Sequence, residues 1–306
     1  MSLAHLEALQ PAAPGGPVTY RSPGAEVWRR VRTSPSGVAG LVIVGLFVLV
    51  ALLAPLLAPY DPAAGDLTDV RPGRVPGPSV DHPLGLDEQG RDELSRVLYG
   101  ARHSLVVGVA SVALGTLLGV ALGAVAAGVG GWLDSLLMRL VDVLLAVPAL
   151  FLAIAVAAVL GPGLPSVAIA IGVTSAPLVA RLLRATMASQ LESGYVAAAT
   201  ATGVPRRRIV LRHVLPNSTG PVIVGASLGM GLAILEAAGL SFLGLGGDPS
   251  SPEWGRMLAA TQRSLQTAPQ LALFPGAAIV LVVVGFNLVG EALREALDPK
   301  ARRASP

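Results

Sequence analysis

Two carboxylates, Asp142 and Glu236, lie inside long apolar runs of this 306-residue chain. An ionisable group at membrane depth is costly, so each marks a candidate pathway residue. Arg139 stands three positions before Asp142 on the same helical face and offers a local ion-pair partner near one membrane surface. Glu236, in LAILEAAGLSFLGLG, has no charged neighbour at helical spacing. It either lines or gates a pathway or makes a buried helix-to-helix hydrogen bond. The rest of the reactive inventory is thin. There are no cysteines, and His5, His82, His103 and His213 show no metal-ligand spacing. No HExxH and no shared Ser/His/Asp context occur, so neither a catalytic residue nor a metal site is expected. Lys300 is the only lysine. A Walker A loop needs a lysine after a glycine-rich turn, so the chain holds no such loop.

The carboxylates need elements to hold them, and composition says which. The chain is 53% hydrophobic and only 13% charged, with a mean hydropathy of +0.67. Soluble domains carry roughly 25% charged residues, so this is a membrane protein. Six runs approach the ~20 apolar residues of a spanning helix: 38–58, 104–127, 136–160, 166–183, 219–243 and 271–290. All are read as helices, since lipid cannot satisfy a bare backbone and no strand alternation is present. The first run is longer than the ~7–15 residues of a signal-peptide core, so no secretory signal is expected. Pro148, Pro177 and Pro275 fall inside three of the spans and predict kinks. Gly115, Gly119 and Gly123 repeat every four residues, as do Gly225 and Gly229. That spacing predicts close helix packing.

The basic residues set an orientation. With the N-terminus inside, the inside segments hold fifteen of the Lys and Arg residues and the outside segments seven. The bias puts both ends inside. It divides the chain into a tail and interfacial anchor (1–37), a six-span domain (38–290) and a C-terminal tail (291–306). Segments 59–103 and 244–270 are then external, and 184–216 is cytoplasmic. Trp28, Arg29, Arg30 and Arg32 read as the interfacial anchor, with cations among lipid headgroups. A sequence pI near 9.8 could suggest nucleic acid. The arginines sit in clusters beside apolar runs, however, so no nucleic-acid partner is expected.

The most informative polar island is YVAAATATGVPRRRIVLRHVLPN, 195–217. Between Arg181 and Pro216 stand six arginines against the single acid Glu192. The alanines predict a short helix, and Gly203 a left-handed turn. Pro205 predicts the start of a second helix, and Pro216 its stop.

This island resembles the EAA loop through which ABC importer permeases meet their ATPases. The matching positions are Ala198, Ala199, Gly203 and the pair Leu215–Pro216, with Ala197 where the motif has glutamate. No charged contact is carried over there. LLAPYDP at 56–62, HPLGLDEQGRDELSRVLYGARHSLVVG at 82–108, SFLGLG at 241–246, PEWGRML at 252–258 and FNLVGEALREALDP at 286–299 add to the likeness. Together they resemble the second permease subunit of dipeptide, oligopeptide or nickel importers. The resemblance covers nearly everything after residue 28.

It implies an all-α, six-span fold of the type I importer permeases, with a cytoplasmic coupling helix between the fourth and fifth spans. It implies a coupling surface at Tyr195, Ala198, Ala199, Gly203, Arg206, Arg207, Arg208 and Pro216. The arginines there serve headgroup anchoring or pairing with acids on the motor. Implied partners are a homologous first permease, two ATPase subunits carrying ATP and Mg, an extracytoplasmic binding protein and membrane lipid. The implied location is a bacterial or archaeal cytoplasmic membrane. The substrate class stays open between peptides, nickel and other small solutes. A self-contained secondary transporter would need coupling-ion sites at a midplane that here is nearly free of charge.

Overall fold

The computed structural model describes residues 23–68, 70, 75–248 and 250–298. The N-terminal 22 residues of the predicted tail and Lys300 lie outside them. Among the described residues the fold is helical, with two isolated β-bridges in the loop before the third helix. It is all-α, as expected.

Helix α1 (Pro23–Thr33) is amphipathic. Val31 packs on Ala292 and Ala296, while Trp28 is exposed with the Arg32 guanidinium 5.1 Å from its ring centroid. Helix α2 (Pro35–Leu57) starts at Ser34, whose hydroxyl accepts from the Gly37 N–H. Its apolar window is only 17% buried, so most of its side chains must face hydrocarbon or another chain. Helix α3 (Glu93–Val129) has 37 residues, roughly 55 Å at ~1.5 Å per residue and well beyond a ~30 Å hydrocarbon core.

Next come α4 (Gly131–Ala146), α5 (Ala149–Leu160) and α6 (Leu164–Leu191). The third expected span, 136–160, is not one helix. It breaks at Val147–Pro148, and α4 and α5 meet at a 95° bend. Pro148 removes a backbone donor, and Val147 before it is extended at φ −88°, ψ 130°. That is the conformation a proline imposes on its predecessor. Pro177 and Pro275, by contrast, sit inside uninterrupted helices.

Beyond α6 are the short α7 (Gly194–Ala201) and α8 (Arg206–Ile209), a π-turn over Val210–Val214, and α9 (Leu215–Ser218). Helices α10 (Gly220–Phe242), α11 (Trp254–Ala260) and α12 (Gln270–Leu297) complete the order. Helices α2, α3, α6, α10 and α12 are each long and apolar enough to span a membrane, and the bent pair makes a sixth crossing if counted as one.

The α3–α6 seam is the most extensive helix contact. The glycine repeat makes it possible. A Cβ on Gly119 would stand 2.7 Å from the Ala176 carbonyl oxygen, and one on Gly123 2.6 Å from that of Ala180. The second repeat behaves differently. A Cβ on Gly229 would meet nothing within 4 Å, and one on Gly225 only Leu182. Those two glycines line an open cleft and pack no helix of this chain closely.

At the end of the bundle away from α7, a polar clamp joins segments 59–103 and 244–270. Arg96 is 2% exposed. It donates to the carbonyls of Pro62 and Ser250 at 3.0 and 3.1 Å, and the Asp87 carboxylate stands 3.4 Å away. The same Asp87 accepts from Arg91. Trp254, fully buried, donates to the Val97 carbonyl at 3.0 Å and fills the space that the absent Gly100 side chain leaves. Burial pushes the Glu253 carboxyl above the usual range, while the Gly255 and Arg256 N–H groups that it caps oppose the shift.

Candidate coupling and translocation site

The island 195–217 folds as a helix–turn–helix on the end of the α3–α6 seam. Its chain reversal follows from local hydrogen bonding. The Val204 N–H donates to the Ala199 carbonyl and the Gly203 N–H to that of Thr200. Gly203 takes φ +80°. These are the two bonds and the left-handed glycine of a Schellman helix stop. Val204 and Ala199 both pack against the cluster beneath, supplying its usual apolar contact. The predicted left-handed turn is therefore present.

The second helix departs from expectation at both ends. Pro205 caps it, extended at ψ 139°, and the first helical residue is Arg206. Pro216 does not stop it. The chain passes through the π-turn, where Leu215 N–H donates to the Val210 carbonyl, and continues to Ser218. Widening the helix there accommodates a residue that has no N–H to offer. Such π-turns recur at functional positions.

One face of this unit is buried and the other open. Val196, Ile209, Val210 and Val214 pack with Leu183 and Met187 of α6. Tyr195, Ala197, Ala198, Arg206, Arg207 and Arg208 are exposed, and Ala199 is half-buried. The Tyr195 hydroxyl donates to the Gln190 side chain. Arg206 Nε donates to the Gly128 carbonyl at 3.2 Å, which ties the turn to the end of α3. The exposed surface is thus small side chains beside a dense positive patch, rigidly mounted.

The second part of the site lies along α4, α6 and α10. An open cleft is lined mainly by apolar and small residues, including Leu145, Leu178, Gly225, Gly229 and Leu232. Glu236 is its one ionisable lining residue. Asp142 is not in this cleft. It lies one helical turn from Leu145, in an open polar vestibule with Asp134, Ser135, Arg181 and Arg184. Its ion-pair partner is Arg181 of α6 and not the expected Arg139. The antiparallel packing of α4 on α6 brings in a guanidinium from 39 positions away, where the sequence suggested only the helical neighbour. Arg184 makes a second, bidentate pair with Asp134 at 3.1 and 2.7 Å.

Reading the sequence assigned Arg181 and Arg184 only to the positive-inside count. The signal that points to their partners is the matched placing of two acids on α4 and two arginines on α6. It becomes readable once the helices are known to be adjacent.

Comparison with known proteins matches residues 116–303 to the binding-protein-dependent transport system inner membrane component. Residues 22–74 match the N-terminal transmembrane domain of oligopeptide transport permease C. The dipeptide transport system permease protein DppC of Alkalihalophilus pseudofirmus is 42% identical, over 99% of this chain and the whole of that protein. The chain belongs to the binding-protein-dependent permease family. Within this permease family, the di/tripeptide permease protein DppC of Pseudomonas aeruginosa is also 42% identical, over 94% of this chain and 96% of its own. The glutathione permease protein GsiD of Pectobacterium atrosepticum is 42% identical over 93% of each chain. The chain is therefore the permease component of an ABC importer, a multi-pass inner-membrane protein with the type I permease fold.

Proposed function

We propose that this permease forms half of the translocation pathway of an ATP-driven importer of di- or oligopeptides and takes its power from separate ATPase subunits docked on residues 195–216. The observation that carries this reading is the mounted helix–turn–helix. It is anchored below by Val196, Ile209, Val210 and Val214 and presents alanines and arginines above. Small side chains let a short helix sit flush in a partner's groove, and Arg207 and Arg208 offer charge to acidic residues there. Peptides are the favoured cargo because the relatives are named for dipeptides, di/tripeptides and glutathione.

In this reading a homologous first permease supplies the other half of the pathway. An extracytoplasmic binding protein delivers the substrate, and ATP and Mg sit on the ATPases. Both ends of the chain and the segment 184–216 face the cytoplasm, while 59–103 and 244–270 face outside, where the Arg96 clamp holds them together. The division into a tail at 1–37, a six-span domain at 38–290 and a tail at 291–306 belongs to the same reading. ATP closure of the motors would move α7–α9. Because α6 runs directly into this unit, the movement is transmitted to the cleft lined by Glu236. The two states must bind substrate differently for transport to result.

The purified permease chain alone is expected to show no ATP hydrolysis, since a lone lysine at Lys300 gives no Walker A loop. Its complex with the ATPases should hydrolyse ATP, faster with loaded binding protein. Sustained hydrolysis by the verified isolated chain would end the proposal.

A further inference from the structure

Arg181 and Asp142 are side by side yet open to the vestibule, with half or more of each side chain exposed (51% and 60%). The neighbouring pair differs. Asp134 is only 17% exposed and is gripped by two hydrogen bonds from Arg184. Exposed ion pairs contribute little to stability, so the first opens readily and its partners are exchangeable. The second, more enclosed and bidentate, holds α4 on α6.

The exchangeable pair adjoins the apolar cleft. Leu145 and Leu178 line the cleft, and Asp142 and Arg181 lie three residues from them on α4 and α6 in the vestibule. Leu182 lies at the level of Gly225, 3.6 Å from where a Cβ on that glycine would stand. Glu236 is eleven positions further along α10, roughly 16 Å at ~1.5 Å per residue. One carboxylate and one guanidinium therefore stand near opposite ends of a largely apolar passage.

Resting on the peptide-import reading, we propose that Arg181 is a carboxylate-binding subsite of the pathway. It releases Asp142 and takes the C-terminal carboxylate of a passing peptide in a forked, charge-assisted hydrogen bond. Asp142 keeps the guanidinium paired when no substrate is present. An extended chain rises at most ~3.3–3.6 Å per residue, so only peptides of about five residues or more span from the level of Glu236 to that of Arg181. A dipeptide meets the two charges in turn.

The test uses the complete reconstituted complex with its binding protein saturated by each of two cargoes, a tripeptide and its C-terminal amide. Saturation removes the binding protein's own preference, and the maximal rate reports the pathway. The bond to Arg181 is absent while the peptide sits in the binding protein and forms only on transfer into the pathway, so it lowers the barrier to transfer. The wild type should therefore move the free acid at least about tenfold faster than the amide. Arg181→Gln should bring the acid-to-amide rate ratio close to one. Arg181→Lys should keep part of the preference. Asp142→Asn, which leaves the guanidinium free, should keep all of it. Melting temperatures of the variant complexes check assembly, and Arg181→Lys and Asp142→Asn carry the test if Arg181→Gln does not assemble. An acid-to-amide ratio unchanged by Arg181→Gln, or lost in Asp142→Asn, would overturn the subsite while leaving peptide import standing. A wild-type complex that moves neither cargo would overturn the peptide reading itself.

Discussion

Replacing Gly203 with valine is expected to cut transport severely while the chain still folds and reaches the membrane. Gly203 sits at φ +80° between α7 and α8. A β-branched residue in that left-handed conformation costs on the order of 1–2 kcal/mol. The cost falls on a turn whose two Schellman bonds set the angle between the short helices. A Cβ at this position meets nothing beyond its chain neighbours within 4 Å, so added bulk is presented to whatever docks there. Both effects act on the coupling surface and neither on the membrane core. Uptake and substrate-stimulated ATP hydrolysis by the assembled complex should drop by about tenfold or more, the equivalent of ~1.4 kcal/mol. Gly203→Asn separates the causes, because asparagine tolerates the left-handed region. It should retain the turn and a measurable part of the rate. Normal transport by the valine variant would remove this loop from the mechanism.

Gly119→Val is expected to fail earlier, at folding. A Cβ there would stand 2.5 Å from the Val179 Cβ and 2.7 Å from the Ala176 carbonyl oxygen. The second of these is backbone inside α6, which cannot rotate out of the way. Forcing extra carbons into such a seam costs typically 1–3 kcal/mol, and more where the obstacle is main chain. The seam joins two of the longest spanning helices and supports the α7–α9 unit. The variant should show a lower melting temperature in detergent and lose its monodisperse elution. Gly229→Ala is the matched control. Its new carbon meets nothing within 4 Å, and it should elute and melt as the wild type does. A Gly119→Val chain as stable as the wild type would mean that close α3–α6 contact is not what holds the bundle.

The glycines show what could be read from the sequence. Gly115, Gly119 and Gly123 announced a close helix contact, and the left-handed turn at Gly203 followed from its place between two helical patterns. Five spans fall within a few residues of expectation at most of their ends, because a long apolar run has few alternatives in lipid. A kink was expected at Pro148, Pro177 and Pro275 alike, and which of them breaks its helix was not legible. Pro55, Pro177 and Pro275 give the same local signal and leave their helices intact. What differs is the extended backbone of Val147 before Pro148, which depends on the whole fold and which no local pattern reports. The ion pairs fail for a related reason. Asp142 had a plausible partner three residues away, and its actual partner depends on which helix lies beside it. The clamp at Arg96 reaches across 154 positions to Ser250, so its role is invisible until the two loops are brought together. Gly225 and Gly229 carried a correct spacing but the wrong meaning, since a small-residue face can border a cleft as readily as a helix.

The central claim is that a separate motor docks on residues 195–216 from the cytoplasm. The chain has no cysteine, and Thr202, next to the turn, is exposed, so Thr202→Cys gives a single addressable thiol. A short bifunctional thiol-to-amine cross-linker, applied to membranes holding the whole importer, should join this residue to an ATPase subunit. The same thiol should stay unmodified when an impermeant reagent is added outside intact cells. Labelling from outside, with no cross-link to the ATPase, would contradict the account.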